Sequence, residues 1–293
     1  MDVDVSIVIV SYQSRGDLGR CLSSLRECGL ARQVVVIDNA SPDGSRELVE
    51  TCFPEVRLIC LPDNLGFAKA CNVGIDGSSG KYCVFLNPDA QVSRSTVQEL
   101  IRIAEGNPRV GLVGPRVFDE DGRTIQPSCR SFPTIGSLFF HRFSILNLLF
   151  PGNRWRHKYL LLDKDLSEPT QVDWVSGCCM LARRDMLTDL GGFDERFFMY
   201  SEDVDLCLRA RQAGWATYYA PSACITHRIG GSSDSLKPII ERHRSVWRYY
   251  KKHLAKGHHV LNVLICSAIA VRCCALSLMR VLSTTCRRWL RFD

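Results

Sequence analysis

The chain has 293 residues, 46% of them of apolar type, with 37 Lys/Arg against 31 Asp/Glu and a net charge of +6. That is ample for a large buried core, which excludes a coreless chain and suits one large domain, with or without an appendage. The charge is uneven: 12 Lys/Arg and 2 Asp/Glu lie from Leu236 onward, a net of +10, and the remainder carries −4. The opening "MDVDVSIVIVSY" carries acids where a secretory leader would carry basic residues, and its apolar run has strand length. The 15 Cys are scattered through apolar runs, as in "ICSAIAVRCC", and read as reduced thiols of a cytosolic chain. Neither Cys178–Cys179 nor Cys273–Cys274 has CxxC spacing, so a zinc site is not expected.

In chain order, Ser6–Val10 is a first strand, and Leu18, Cys21, Leu22 and Leu25 then recur at helical spacing. Val34–Ile37 is a second strand, followed by a helix expected to start at Ser41 and Pro42. Val56–Leu61 and Tyr82–Leu86 are the third and fourth. Ser95 with Gln98 forms a capping box for a helix from Thr96 to about Glu105. "VGLVG" is a fifth strand, and "VFDEDGRTI" a hairpin turning at Asp121-Gly122. Leu138–Pro151 is apolar around most of a helix circumference. "ATYYA" reads as a short strand before "CITHRIGGSS".

Apolar runs alternating with helices imply an α/β fold with a mostly parallel sheet covered on both faces. Ligands of such sheets bind beyond the strands' carboxyl ends. The four tips there are polar: Ser11 and Tyr12; Asp38 and Asn39; Pro62 to Asn64; Asn87 to Asp89. No GxGxxG follows the first strand, which speaks against an ordinary dinucleotide site.

Four segments carry candidate chemistry, each with a plain alternative. Asp89, stiffened by Pro88, can hold a divalent cation against a diphosphate, or can simply close an Asx-type turn. Glu202, Asp203 and Asp205 crowd the first turn of a helix capped by Ser201. They complement its dipole, or present a carboxylate base whose pKa is raised by like charges. His227 is a structural histidine, or an imidazole ligand if Asp89 binds metal. Asn64, Gly66 and Asn72 flank a helix start where backbone N–H groups could meet a sugar or phosphate, or form an ordinary glycine turn.

Together, "SIVIVSYQS", "VVVIDNASPDGS", "NLGFAKACNVGI", "FLNPDA", "VSGCCMLARRDML", "GGFDERFFMYSEDVDLCLRARQAGW" and "THRIGG" resemble family 2 glycosyltransferases of the GT-A (nucleotide-diphospho-sugar transferase) fold, and bacterial rhamnosyltransferase-like members most. The resemblance runs from about Val5 to Ser233. It implies a transferase domain over 1–235, with a nucleotide-binding half (1–115) and an acceptor-binding half (116–235). It implies an inverting, metal-assisted transfer of a sugar, rhamnose being the one suggested, from a nucleoside-diphosphate donor to a lipid-linked or polysaccharide acceptor of the cell envelope. Ser11 and Tyr12 would line the nucleotide pocket and Asp38 would bind the base. Asn87 and Asp89 match the DxD motif, with Asn in the first place. Asp89 and His227 would hold Mg²⁺ or Mn²⁺. Trp174 and Gly177 would shape the sugar pocket, Asp203 would be the base, and Glu202 would orient it. A non-catalytic GT-A-like nucleotide-binding scaffold is the alternative, and a nucleotidyltransferase a third. Neither accounts as well for Asp38, Asp89, Asp203 and His227 together.

The tail, 236–293, is basic and apolar. Val260 to Leu282 carries Arg272 and Arg280, which speaks against a transmembrane span. With Arg287 and Arg291 these fall near one face, as in an amphipathic helix on the anionic inner surface of the plasma membrane. Leu138–Pro151 is a second candidate for that surface. Core packing or a homo-oligomer contact is the alternative for both, and nucleic-acid binding ranks lower because no module for it is recognisable.

Overall fold

The computed structural model describes residues 4–29, 33–139, 153–228, 235–255, 257 and 259–289. The first strand, β1 (Val5–Ser11), is buried along its whole length. It pairs in parallel with β2 (Gln33–Asp38) on one side and β4 (Tyr82–Leu86) on the other, and β2 pairs with β3 (Arg57–Cys60). The remaining strands are β5 (Ala90–Val92), β6 (Val110–Phe118), β7 (Ile125–Gln126), β8 (Cys129–Arg130), β9 (Thr170–Val172), β10 (Trp174–Val175), β11 (Cys179–Arg183) and β12 (Ala216–His227). The ten-stranded sheet runs β3-β2-β1-β4-β11-β6-β12-β5, with β7 on β6 and β9 on β12. β11 is antiparallel to both neighbours and joins the two halves. β8 and β10 form a separate antiparallel pair.

Alternation along β1 sorts the core into two layers. Ile7 and Ile9 pack with Leu18, Leu22 and Leu25 of α1 (Arg15–Cys28) and Leu100 and Ile101 of α4 (Arg94–Gly106). Val8 and Val10 pack on the other side with Ala68 and Cys71 of α3 (Phe67–Asp76), Met186 of α7 (Arg184–Leu190) and Leu206 of α8 (Glu202–Gln212). The smaller helices are α2 (Ser45–Cys52), α5 (Ile135–Phe139) and α6 (Arg154–Tyr159). Two long helices, α9 (Lys237–His253) and α10 (His259–Trp289), close the chain.

Several boundaries differ from the sequence expectations. The second helix begins at Ser45, after Gly44 with φ +82°, and not at Ser41. The Asp43 carboxylate accepts from the N–H groups of Arg15 and Ser45 at 2.9 and 3.1 Å, and so holds the preceding residues as a loop. Ser93, not Ser95, caps α4, its hydroxyl accepting from Thr96 N–H at 3.3 Å. The short strand "ATYYA" continues as β12 through a register shift between Ala220 and Cys224, which brings His227 to the sheet edge beside Ala90. Leu138–Pro151 lies almost wholly outside the described residues. The hairpin at Asp121-Gly122 forms as expected, with Val117 opposite Gln126.

Candidate active site

The sheet register sets the strand tips side by side. Ser11 pairs with Asp38 across β1 and β2, and His227 with Ala90 across β12 and β5. Asp38 is buried; its Oδ2 accepts from Ser41 N–H at 3.3 Å, while Oδ1 has no hydrogen bond among the described residues. Buried carboxylate oxygens are normally satisfied, so this one is a ready acceptor for a ligand N–H. Tyr12 is 43% exposed beside it. The Ser11 side chain instead turns to Ser14, Oγ to Oγ 2.9 Å, so it supports the loop.

At the β4 tip, Asp89 Oδ1 lies 3.2 Å from His227 Nε2 yet is buried with no hydrogen bond among the described residues. Two lone-pair atoms facing each other in this way suit a shared cation. Adjacent ligands of an octahedral Mg²⁺ at about 2.1 Å lie about 3 Å apart. His227 Nδ1 is 3.2 Å from Gln126 Oε1, and Asn87 Nδ2 is 3.3 Å from His227 Nε2. Both contacts favour the tautomer with the proton on Nδ1, which leaves Nε2 as an acceptor. Gln126 Nε2 also donates to the His227 carbonyl at 2.6 Å, clamping the residue from both ends. Among the described residues no cluster of three or more His, Cys, Asp or Glu could hold a metal. Two protein ligands suit a cation that completes its shell with phosphate and water.

The second centre is the start of α8. Asp203 Oδ2 accepts from Gly177 N–H at 3.0 Å and Oδ1 from Val204 N–H at 2.8 Å. Burial pushes its pKa up, only partly offset by those N–H groups and by the charge of Arg130. Burial, with the charge of Asp203, drives the Glu202 pKa well above the usual carboxylate range. Tyr200 and Ser201 precede this pair with φ +67° and +64°, a left-handed conformation rare outside glycine. Ser201 sits at the N-cap position, but its side chain makes no capping bond.

The two centres are physically joined. Asn87 N–H donates to the Cys178 carbonyl at 2.8 Å, so the residue after Gly177 is tied to the strand tip that carries Asp89. Phe198 of the loop before α8 accepts from Phe67 N–H at 2.6 Å, at the mouth of the nucleotide side. Gly66 there has φ +85°, and a Cβ on it would collide with the Phe198 carbonyl oxygen.

α9 braces this assembly. Asp205, fully buried, accepts from Arg209 Nε at 2.7 Å, Lys252 Nζ at 2.6 Å and His253 Nε2 at 2.7 Å. Lys252 also reaches Asp194 at 2.7 Å, and Ser245 Oγ donates to the Met199 carbonyl at 2.7 Å. Lys237 and Arg242 cover the rings of Phe198 and Tyr200 at 4.6 and 4.7 Å.

Among the expected site residues, Asp38, Tyr12, Asn87, Asp89, His227, Gly177, Asp203 and Glu202 face these two joined centres. Asn64 and Asn72 make hydrogen bonds within the loops. The Asn64 carbonyl is taken by Gly66 N–H at 3.0 Å and Asn39 Nδ2 at 3.1 Å. The Asn72 amide exchanges two bonds with the Phe193 backbone at 2.8 and 2.9 Å. Both shape the loops. Buried Trp174 donates Nε1–H to the Ser131 carbonyl at 2.9 Å and carries the Arg130 guanidinium 5.0 Å from its ring centroid. Sequence reasoning missed Gln126, Arg130 and the pairing of Asp205 with Lys252 and His253. Only the Asp205–Arg209 spacing of four was visible locally.

A parallel-to-mixed sheet with polar strand tips and a carboxylate-bearing helix start across them is the GT-A glycosyltransferase architecture, and solved structures bear this out. One is a mannosyltransferase from Pyrobaculum calidifontis in complex with GDP-Man and Mn²⁺, with TM-score 0.60 and 16% identity over 100% of this chain and 81% of that one. Another is GalNAc-T7 with UDP, GalNAc and Mn²⁺, also at TM-score 0.60 and 16% identity, over 85% of this chain and 49% of that one. The glycosyl transferase family 2 model matches residues 6–191, and the chain belongs to that family. It is 34% identical over 260 residues to the N-acetylglucosaminyl-diphospho-decaprenol L-rhamnosyltransferase of Mycobacterium tuberculosis (strain ATCC 25618 / H37Rv), covering 82% of each chain. It is 26% identical over 232 residues to the rhamnosyltransferase WbbL of Escherichia coli (strain K12), covering 76% of this chain and 83% of that one.

Proposed function

We propose that the chain is an inverting rhamnosyltransferase. It would move rhamnose from a nucleoside diphosphate to a sugar carried on a polyprenyl diphosphate, in the building of a cell-envelope glycan. The observation that carries the reading is the half-buried Asp203 carboxylate, held by Gly177 N–H and tied through Cys178 to the strand tip bearing Asp89. The likeness to the mycobacterial and E. coli rhamnosyltransferases supports the choice of sugar and acceptor.

In this reading Asp38 and Tyr12 take the base, and Asn87 lies against the ribose or the sugar. Asp89 and His227 would hold a divalent cation, whose chemistry is to neutralise the diphosphate as the glycosidic bond breaks. Asp203 accepts the proton of the acceptor hydroxyl as that oxygen attacks the anomeric carbon opposite the leaving diphosphate. One displacement with one base inverts that centre. Glu202, whose pKa burial raises well above the usual carboxylate range, would orient Asp203.

The direct test is transfer from dTDP-rhamnose to an N-acetylglucosaminyl-diphospho-lipid, with the anomeric configuration of the product read by NMR. Asp203→Asn should abolish transfer and retain donor binding. Transfer by that variant at the wild-type rate, or retention of configuration, would overturn the mechanism.

We further propose that α10 lies on the cytoplasmic membrane face. By length and composition its His259–Leu282 stretch is also sufficient to cross a membrane, with mean hydropathy 2.0 and 6% of it buried. Val260, Val263, Leu264, Val271, Leu278 and Met279 are exposed. Arg272 and Arg280 are partly covered, and the cost of charge at the bilayer centre favours the surface. A chain ending at Ala255 should leave the membrane fraction, and alkaline carbonate should release the full chain; resistance to carbonate would indicate a span.

A further inference from the structure

Among the described residues no carboxylate forms an ion pair with Arg130. It sits opposite Trp174 in the β8–β10 pair, three residues from the glycine that holds Asp203. Its charge lies 5.0 Å from the Trp174 ring centroid and 5.8 Å from that of Tyr159. One terminal nitrogen donates to the Pro127 carbonyl at 3.1 Å, while Nε is buried with no hydrogen bond among the described residues. Such a group, flattened on aromatic faces beside a catalytic carboxylate, is built for a phosphate.

Next to it a cavity of about 1160 Å³ opens at Ser131, the residue after Arg130. Arg154, Lys158 and Lys164 line it, with Asp163 the one acid among the described lining residues. Trp155, Ile135 and Leu161 add apolar surface. Its far side is formed by His253 and Leu254, a few residues before α10 begins at His259. The cavity therefore spans from the residues just before the proposed membrane helix to Ser131, next to Arg130 in the chain. Its positive and apolar lining complements an anionic lipid.

We propose that Arg130 binds the diphosphate of a lipid-linked acceptor, with the lipid in the basic cavity and the acceptor sugar spanning from Arg130 to Asp203. This deepens the rhamnosyltransferase reading and rests on it for the acceptor sugar. The diphosphate-lipid site itself can be tested without turnover. Farnesyl diphosphate and farnesol are titrated into the full chain, with TDP present to fill the donor site.

The wild type should prefer the diphosphate by more than about tenfold, the expected scale of charged hydrogen bonds at 1.5–3 kcal/mol. Arg130→Gln should remove the preference with farnesol binding unchanged, and Arg130→Lys should restore part of it. Equal preference in wild type and Arg130→Gln would overturn the proposal, as would equal losses for both ligands, which mark a structural role. Failure of rhamnose transfer alongside an intact, Arg130-dependent preference would refute the rhamnosyltransferase reading and leave this site standing.

Discussion

Replacing Asp205 by Asn keeps the shape of the α8–α9 contact and removes the fully buried counter-charge at its centre. Arg209, Lys252 and His253 would then face a neutral amide in a fully buried site, with hydrogen bonds of 2.6–2.7 Å in the native protein. Removing one partner of a buried ion network costs about 3–5 kcal/mol. At roughly 2–4 °C per kcal/mol for a large domain, the midpoint of thermal unfolding should fall by roughly 6–20 °C at neutral pH. Burial by itself would raise the Asp205 pKa, but the bonds from His253, Lys252 and Arg209 outweigh it and hold the pKa below the usual carboxylate range. A depressed native pKa adds stability above the unfolded value, and that stability is lost as pH falls through the native one. The wild-type and Asp205→Asn curves should therefore separate fully near neutrality and converge in acid. Near-UV circular dichroism melts from pH 7 down to pH 3 would show this. A midpoint within about 2 °C of wild type at pH 7, against the shift expected for a large domain, would refute the brace.

Three further outcomes follow from the site. Asp203 must be ionised to accept a proton and burial raises its pKa, so activity should fall with decreasing pH above the ordinary Asp range; a kcat profile flat down to pH 4 would contradict this. Gln126→Leu should weaken Mn²⁺ binding, measured by electron paramagnetic resonance, by about 10–100-fold, because His227 loses the partner that fixes its tautomer. Gly66→Ala should destabilise the protein by more than the ordinary ~1 kcal/mol, since its Cβ would meet the Phe198 carbonyl in a left-handed turn; a denaturation midpoint equal to wild type would sink that account.

The strands that form the nucleotide side were legible because each is a continuous apolar run ended by polar residues, from Ser6–Val10 to Tyr82–Leu86. Their tips then located Asp38 and Asp89, since parallel sheets expose those ends. Asp203 was legible as one of three acids at a helix start, but its separation from Asp205 was not. The two differ by what lies opposite: Gly177 N–H for one, and Lys252 and His253 for the other, 47 and 48 residues away. No local pattern encodes such a pairing. The loop-bracing bonds of Asn64 and Asn72 were illegible for the same reason, since Asn39 and Phe193 come near only in the folded chain. Leu236 looked like the edge of a tail because the charge changes sign there. The packing of α9 on Met199, Asp194 and Asp205 continues the body of the protein to Ala255.

The left-handed pair Tyr200–Ser201 stores tension, about 1–3 kcal/mol per residue, just before Glu202 and Asp203. A glycine at Ser201 would relieve it, so selection for heat resistance alone should favour that replacement. The same change would let the start of α8 wander, and Asp203 with it. Durability and turnover thus pull against each other at one serine, and a laboratory lineage bred only to survive heating would be expected to drift there toward a tougher, slower enzyme.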